Sequence, residues 1–513
     1  MMRASSLAAM AAAVAALSFS PARALDHDPL YPTNTPLRVL DKKIVDSRNR
    51  TVILRGVNVN QLGDYFQAND EIPSTLPFSR ADFERIAALG ANVVRLIVHW
   101  SLLEPSPGVH DEAYLDTIRE AVGWAGELGM YVVLDMHQDA WGQHIATDPD
   151  ETCAAPLMQP AIGWDGAPEW ATMTKGAPRC MLAVRELSAA VGVAWDAFWR
   201  DQGGIQTRFV ETWAWLAEAF KHEPTVAGYD LVNEPHWGLR YFHTLLIDKP
   251  RFYRRTLEAL RGAEEGGIRK IVFFEPLALY SALPFEPVIP WKADKQIVYA
   301  PHVYLGSISM DVVLTGEEII PLAFGFWQAR REARRRNTTF WIGEWGWFGE
   351  GGEYAARFAA LEDFFQVGSA FWQWKQACGD PHGMTWPEGG APDESGNLVR
   401  VRCHDPEQPA GVEIGLHTEH ALVLSRPRPR RFPGVAVFES DPFTQTLTME
   451  GSCELPSANV ELWVPGAGSL EIEREGLLLR NNRHVPGGWI VELEPIASRW
   501  SVEVVGEPSP EID

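Results

Sequence analysis

Between residues 50 and 376, short β-rich runs alternate with stretches of helical periodicity, and this alternation constrains the fold more than any other feature of the chain. The runs are Val52–Val59, Asn92–His99, Tyr131–Met136, Val226–Val232, Lys270–Phe274, Gln296–Val303, Thr339–Gly343 and Ser369–Trp374. The stretches between them include Arg80–Leu89, Asp111–Leu128, Gln206–Phe220 and Leu322–Arg335, with apolar residues three or four apart. Strands that are apolar almost throughout need cover on both faces, which implies a parallel sheet flanked by helices. Eight such units predict an α/β fold, a (β/α)8 TIM barrel, over the open doubly wound sheet that eight strands also allow. No G-x-G-x-x-G follows the first run, which removes the usual support for the open sheet.

Most of these runs end in polar residues: Asn58 and Asn60, His99, His137 and Asp139, Asn233 and Glu234, Glu275, His302 and Tyr304, and Glu344. The C-terminal strand ends of a TIM barrel, with the loops that follow them, build its active site. A polar residue at one strand end means little; the repetition around the sheet is what packing does not explain.

Outside the repeat, the chain changes character at both ends. Arg3, the apolar run Leu7 to Leu17 and Ala22-Arg23-Ala24 read as a signal peptide over residues 1–24, so the mature protein is expected to be secreted or periplasmic. The barrel is assigned to 25–412. From Glu413 helical periodicity fades, Ser425 to Pro433 reads as a proline-stiffened connector, and short strand-like runs separated by Gly/Pro/Asn turns predict a C-terminal antiparallel β-sandwich over 413–513. A formal charge of −23 argues against nucleic acid as a partner. Cys153 with Cys180, and Cys378 with Cys403, would each close a Gly/Pro/Asp-rich loop and are expected as disulfides, leaving Cys453 buried and free.

The chemistry-bearing pair is Glu234, in Asn233-Glu234-Pro235, and Glu344, in Trp341-Ile342-Gly343-Glu344-Trp345. Cleaving a glycosidic bond takes two carboxyl groups, one protonated to assist the leaving oxygen and one ionised on the other side of the anomeric carbon. Two glutamates on different strand ends of one barrel can supply them. Asp135, His137 and Asp139 fall on one side of their strand. Such a set could hold a metal, but a sugar rich in hydroxyls needs the same donors and acceptors, and the sugar reading, with no metal and no cofactor, is the one adopted. Glu275 either touches substrate, tunes Glu344 or partners an arginine. Trp141, Trp164, Trp170, Trp345, Trp347, Trp372 and Trp374 lie on or near the same face, where an aromatic plane suits the C–H face of a sugar.

These residues together resemble glycoside hydrolase family 5: Asn233-Glu234-Pro235 ends the fourth run and Glu344 the seventh, Arg95 lies inside the second, His137 ends the third, His302-x-Tyr304 ends the sixth, and Trp372 sits in the eighth. The resemblance implies a retaining mechanism with Glu234 as acid/base and Glu344 as nucleophile. It implies that Asn233 bonds the sugar 2-hydroxyl and that Arg95 and Tyr304 keep the nucleophile ionised. Within the family, Asp135-Met136-His137-Gln138-Asp139, the segment Ile162 to Ala171, and Leu424-Ser425-Arg426-Pro427 resemble the endoglycoceramidase-like glycolipid glycosidases. In that group the matching residues His137, Asp139 and Trp170 bind sugar. Asn58 to Asp64 lacks the lysine expected of that group, so the resemblance leaves the accepted sugar open. The substrate implied is a glycolipid or other β-glycoside, cleaved between sugar and lipid; a family 5 β-glycanase acting on polysaccharide is the alternative, and a non-catalytic carbohydrate- or lipid-binding protein the remaining one. The apolar stretches Leu305 to Leu314 and Trp345 to Phe348 add an expectation of contact with a membrane surface or micelle.

Overall fold

The structure is a computed structural model that describes residues 30–509 apart from 68, 70, 183, 281–293, 305–306, 310–311, 314–321, 347–351, 384–396 and 404. The expected signal peptide lies outside the described residues.

Eight parallel strands form the central sheet: β1 (Arg55–Val59), β2 (Val93–His99), β3 (Tyr131–His137), β4 (Val226–Asp230), β5 (Ile271–Phe274), β6 (Ile297–Tyr299), β7 (Ile342–Trp345) and β8 (Ser369–Phe371). The ladder runs β6-β5-β4-β3-β2-β1-β8-β7. Closure comes from β6 against β7: Tyr299 and Phe340 form a parallel bridge, the Trp341 N–H donates to the Tyr299 carbonyl at 2.9 Å, and the Val303 N–H donates to the Glu344 carbonyl at 3.0 Å. The sheet is therefore a closed barrel.

Strand alternation sorts the side chains. Val94, Leu96, Val98, Val132, Leu134 and Met136 belong to the large core between barrel and helices. Val93, Tyr131, Val133, Ala227, Ile271, Phe273, Val298, Trp341 and Ala370 belong to a separate core that fills the barrel's floor. Gly56 of β1 has no room for a side chain, since a Cβ there would lie 1.7 Å from the Val93 carbonyl oxygen of β2. The next inward residues toward the C-terminal end are polar, namely Asn58, Arg95, Asp135 and Asp230, and all four are buried.

The β-sandwich is present, with a composition that differs from expectation. One sheet pairs Val435–Asp441, Thr446–Ser452, Arg499–Val505 and Glu471–Glu475 in that order. The other begins with Arg38–Leu40, Lys43–Val45 and Thr51–Val52 from the N-terminal region and continues through Arg428–Phe432, Val460–Pro465, Gly488–Pro495 and Leu477–Val485. Residues ahead of β1 thus complete a sheet whose other strands lie almost 400 positions later. The expected connector at 425–433 is corrected: Arg428–Phe432 is a fully buried strand, and Thr418–Ser425 before it is a helix. Its arginines made the segment look solvent-exposed; instead Arg430 lies 3.1 Å from Glu461, and Arg426 lies 2.8 Å from Glu362.

Both expected disulfides form, Cys153–Cys180 and Cys378–Cys403, and Cys453 is free but half-buried rather than buried. Among the described residues no helix is long and apolar enough to cross a membrane.

Candidate active site

Arg95, fully buried in β2, organises the floor of the site. Its Nη1 donates to Glu344 Oε1 at 2.7 Å and to Asn58 Oδ1 at 3.0 Å; its Nη2 donates to Asn233 Oδ1 and Glu275 Oε1, each at 3.0 Å; its Nε donates to Asp230 Oδ2 at 3.1 Å. Asp135 Oδ1 lies 3.0 Å from Nη2. A planar guanidinium with five donors is the one side chain that can tie so many strands together at once. Burial weighs against its charge, but Asp135, Asp230, Glu344 and Glu275 outweigh that and raise its pKa.

Glu344 reaches the cleft through an irregularity. Strict alternation would point it outward, because Ile342 and Trp345 both pack in the outer core. Between those two residues β7 carries one more residue than β8, a bulge that turns Glu344 inward while Trp345 stacks on Phe358 at 3.8 Å. The second carboxylate oxygen then accepts from Tyr304 Oη at 2.8 Å.

Glu234 follows β4 with φ +37°, a left-handed backbone that is costly for a glutamate. Its peptide is held on both sides: the Glu234 N–H donates to Glu275 Oε2 at 2.7 Å, and Gln138 Nε2 donates to the Asn233 and Glu234 carbonyls at 2.7 and 3.2 Å. Glu234 Oε1 lies 2.9 Å from His302 Nδ1. One oxygen each of Glu234 and Glu344, with a nitrogen of His302, lie within 4.8 Å of one another. That is the spacing of a retaining pair; an inverting pair stands roughly 6.5–9.5 Å apart. Burial, helped by the charge of Glu344, raises the Glu234 carboxyl, with His302 opposing. His302 itself is raised well above the ordinary histidine range: burial disfavours its charge, but Glu275 and Glu344 prevail.

On the opposite wall, His137 Nδ1 lies 2.6 Å from Asp135 Oδ2, and its ring stacks on Trp372, centroids 5.2 Å apart at 14°. Asp139 Oδ1 accepts from Arg185 Nη2 at 2.8 Å, and its Oδ2 lies 2.6 Å from His382 Nε2. Asp380 holds the other ring nitrogen of His382 at 2.8 Å. Burial weighs against the Asp139 charge, yet Arg185, His137 and His382 keep its carboxyl well below the usual range.

The structure thus gathers Arg95, His137, Asp139, Asn233, Glu234, Glu275, His302, Tyr304, Glu344 and Trp372 into one cluster. Trp170 is placed apart: its indole N–H donates to the Glu104 carbonyl at 3.1 Å and its ring meets Trp100 edge-on. Trp345 and Trp374 are core residues, and Trp347 lies outside the described residues. Sequence reasoning missed Arg185 and His382. Arg185 lies in the short strand Val184–Ser188 and His382 in the single helical turn Pro381–Gly383, and the only signal near His382 is that it follows Cys378, whose disulfide anchors that segment. His137, Asp139 and His382 bring three potential metal ligands within 4.8 Å of one another, but each is already engaged by a charged or hydrogen-bonding neighbour, an arrangement equally suited to presenting donors and acceptors to a sugar.

A family model for cellulase (glycosyl hydrolase family 5) matches residues 45–377. A solved endogalactoceramidase structure is 41% identical, with a TM-score of 0.81, covering 91% of this chain and 99% of its own. Endoglycoceramidase I of Rhodococcus hoagii (strain 103S) is 30% identical over 283 residues, 53% of either protein, so this chain spans about half the length of that curated relative. Endo-glycoceramidase II from Rhodococcus sp., solved with ganglioside GM3, is 22% identical with a TM-score of 0.66, covering 91% of this chain and all of its own, a likeness of fold alone. Barrel, carboxylate spacing and family match agree, and the chain belongs to glycosyl hydrolase family 5.

Proposed function

We propose that the protein is a secreted or periplasmic retaining β-glycosidase that cleaves the bond between sugar and lipid in a glycosphingolipid. The observation that carries the mechanism is the pair Glu234 and Glu344, oxygens within 4.8 Å, differing in environment. Glu234, raised by burial, is the acid that protonates the leaving oxygen and then the base that activates water. Glu344, gripped by Arg95 and Tyr304, is the nucleophile that forms and loses the glycosyl-enzyme bond. Asn233, held by Arg95, faces the sugar beside them, and Trp372 with His137 supplies a wall for its ring.

The glycolipid reading draws on the endogalactoceramidase and endoglycoceramidase names of the relatives. It draws also on a group of exposed apolar residues in the segment that follows Glu234. Leu239, in the turn that follows Glu234, and Phe242, Leu246 and Ile247, in the helical stretch Tyr241–Asp248, are 60, 73, 50 and 53% exposed. Such a face suits a membrane or micelle surface that presents the substrate. Ile308 and Val312, within the apolar stretch Leu305 to Leu314 expected to make that contact, belong to a two-stranded hairpin whose side chains lie outside the description. The two disulfides and the leader at 1–24 support export from the cytoplasm.

Incubation with glycosphingolipids, soluble aryl β-glycosides and β-glucan tests this reading. The expected result is intact glycan released from ceramide in the β-configuration, with Glu344→Gln inactive. In Glu234→Ala, azide should restore turnover of an activated aryl glycoside and yield the β-glycosyl azide. An α-azide overturns the mechanism, and preferred turnover of β-glucan overturns the lipid substrate while leaving the glycosidase.

A further inference from the structure

Three guanidinium groups meet beneath the barrel, where the sandwich strand Arg428–Phe432 passes its floor. Arg55 of β1, Arg426 and Arg428 line one cavity together with Glu362, Ser369 and apolar neighbours such as Leu89, and the three arginines are 3, 1 and 3% exposed. Two carboxylates answer them, both from the helix Gly352–Phe365. Asp363 Oδ1 lies 2.6 Å from Arg55 Nη2; Glu362 Oε2 lies 2.8 Å from Arg426 Nη2 and 3.6 Å from Arg55 Nε. Arg428 is bonded to the Leu424 and Leu89 carbonyls and to no carboxylate among the described residues. Burial, with the charges of Arg426, Arg55 and Arg430, accordingly lowers its pKa.

Two imbalances therefore coincide. Three positive charges face two negative ones in a place where an unpaired charge is costly. Arg55 Nη1 and Nε and Arg426 Nε, all buried, have no hydrogen-bond acceptor among the described residues. The cavity, about 10 Å³ when measured to the centre of a water-sized sphere, accepts a single water-sized body. A water would satisfy donors and leave the charge.

We propose that this cavity is a binding site for one small monovalent anion of the halide class, held by the Arg55, Arg426 and Arg428 guanidinium groups, which balances the charge and ties the sandwich to β1. The site lies at the end of the barrel opposite the carboxylate pair and stands independently of the activity.

Thermal unfolding of the full chain in sodium chloride or bromide, against sodium gluconate at equal ionic strength, reads it out, because gluconate is too large to enter. The expected result is a Tm higher by roughly 2 °C or more in halide, saturating with concentration. Arg428→Met balances the charges without an ion and should lose the halide dependence. An equal halide effect in that variant marks a surface salt effect and overturns the proposal, as does an identical Tm in both salts for the natural chain. Should Arg428→Met fail to fold, an anomalous diffraction peak in the cavity of bromide-grown crystals of the natural chain supports the site, and its absence overturns it.

Discussion

Replacing His302 with Asn should move the alkaline limb of the activity profile to higher pH. Glu234 must be protonated to assist the departing oxygen, so the alkaline limb of kcat/KM reports its pKa in the free enzyme. Burial raises that pKa and the charge of Glu344 raises it further, while His302, 2.9 Å from Oε1, lowers it by hydrogen bond and by charge. Glu275, 3.2 Å from the far ring nitrogen, and Glu344, 3.4 Å from the near one, keep that imidazole protonated. Asparagine carries no charge, so the opposing contribution disappears. A hydrogen bond to a charged group contributes about 1.5–3 kcal/mol, and about 1.4 kcal/mol corresponds to one pH unit, so the limb should rise by roughly 1–2 pH units. The assay is kcat/KM on an activated aryl β-glycoside across the range in which the variant's Tm shows it folded. A limb that stays in place, or moves to lower pH, refutes the claim that a protonated His302 restrains Glu234.

Replacing Cys378 and Cys403 together by Ser frees a loop whose ends are 25 residues apart and should cost about 3 kcal/mol in the chain-entropy account, read as a lower urea midpoint; a change under about 1 kcal/mol counts against it. Gly56→Ala places a Cβ 1.7 Å from a backbone oxygen of the neighbouring strand, so a loss of about 1–3 kcal/mol or more is expected, and an unchanged Tm contradicts the close approach. Burial disfavours the His137 charge, but Asp135 raises its pKa to about 10, so its stabilisation is full below the unfolded-state value near 6.5 and is lost as pH climbs toward 10. Stability of His137→Gln should therefore fall less between those pH values than that of the natural chain.

The barrel and most of the site were legible because both rest on short-range patterns: an apolar run of strand length, then a polar residue where the run stops. Glu234, His302 and Asn233 follow from that alone. Glu344 was found by its position in the chain, although nothing local announces the bulge that turns it inward. His382 and Arg185 were not found, because their partner Asp139 lies 243 and 46 positions away and the elements that carry them, Pro381–Gly383 and Val184–Ser188, are too short to stand out in the sequence. Arg428–Phe432 was misread for a related reason. An arginine's burial is decided by distant acceptors such as Glu461 and the Leu89 carbonyl, which no window of sequence contains. Of the N-terminal strands of the sandwich sheet, Thr51–Val52 pairs with Arg428–Phe432 across hundreds of residues, and all three carry too few positions, three, three and two, to show a period.

The charge balance around Arg95 explains how one cation can serve so many acids. Asp135, Asp230, Glu275 and Glu344 all lie within 3.1 Å of it, four carboxyl groups against one guanidinium. His137 and His302, both raised by these same acids, add two positive charges. One negative charge then remains in excess, and burial together with Glu275 pushes the Asp230 carboxyl well above its ordinary range, against the pull of Arg95. The layer beneath the sugar is thereby close to neutral as a whole while Arg95 remains pinned by β1, β3, β4 and β5. With its position set by those strands, the guanidinium presents Nη1 to Glu344 without having to reorganise as charge moves in the reaction, the condition under which electrostatic stabilisation is most effective. A lysine in this place would keep the charge and lose the geometry, since one ammonium with three donors cannot span acceptors contributed by five other strands and their ends.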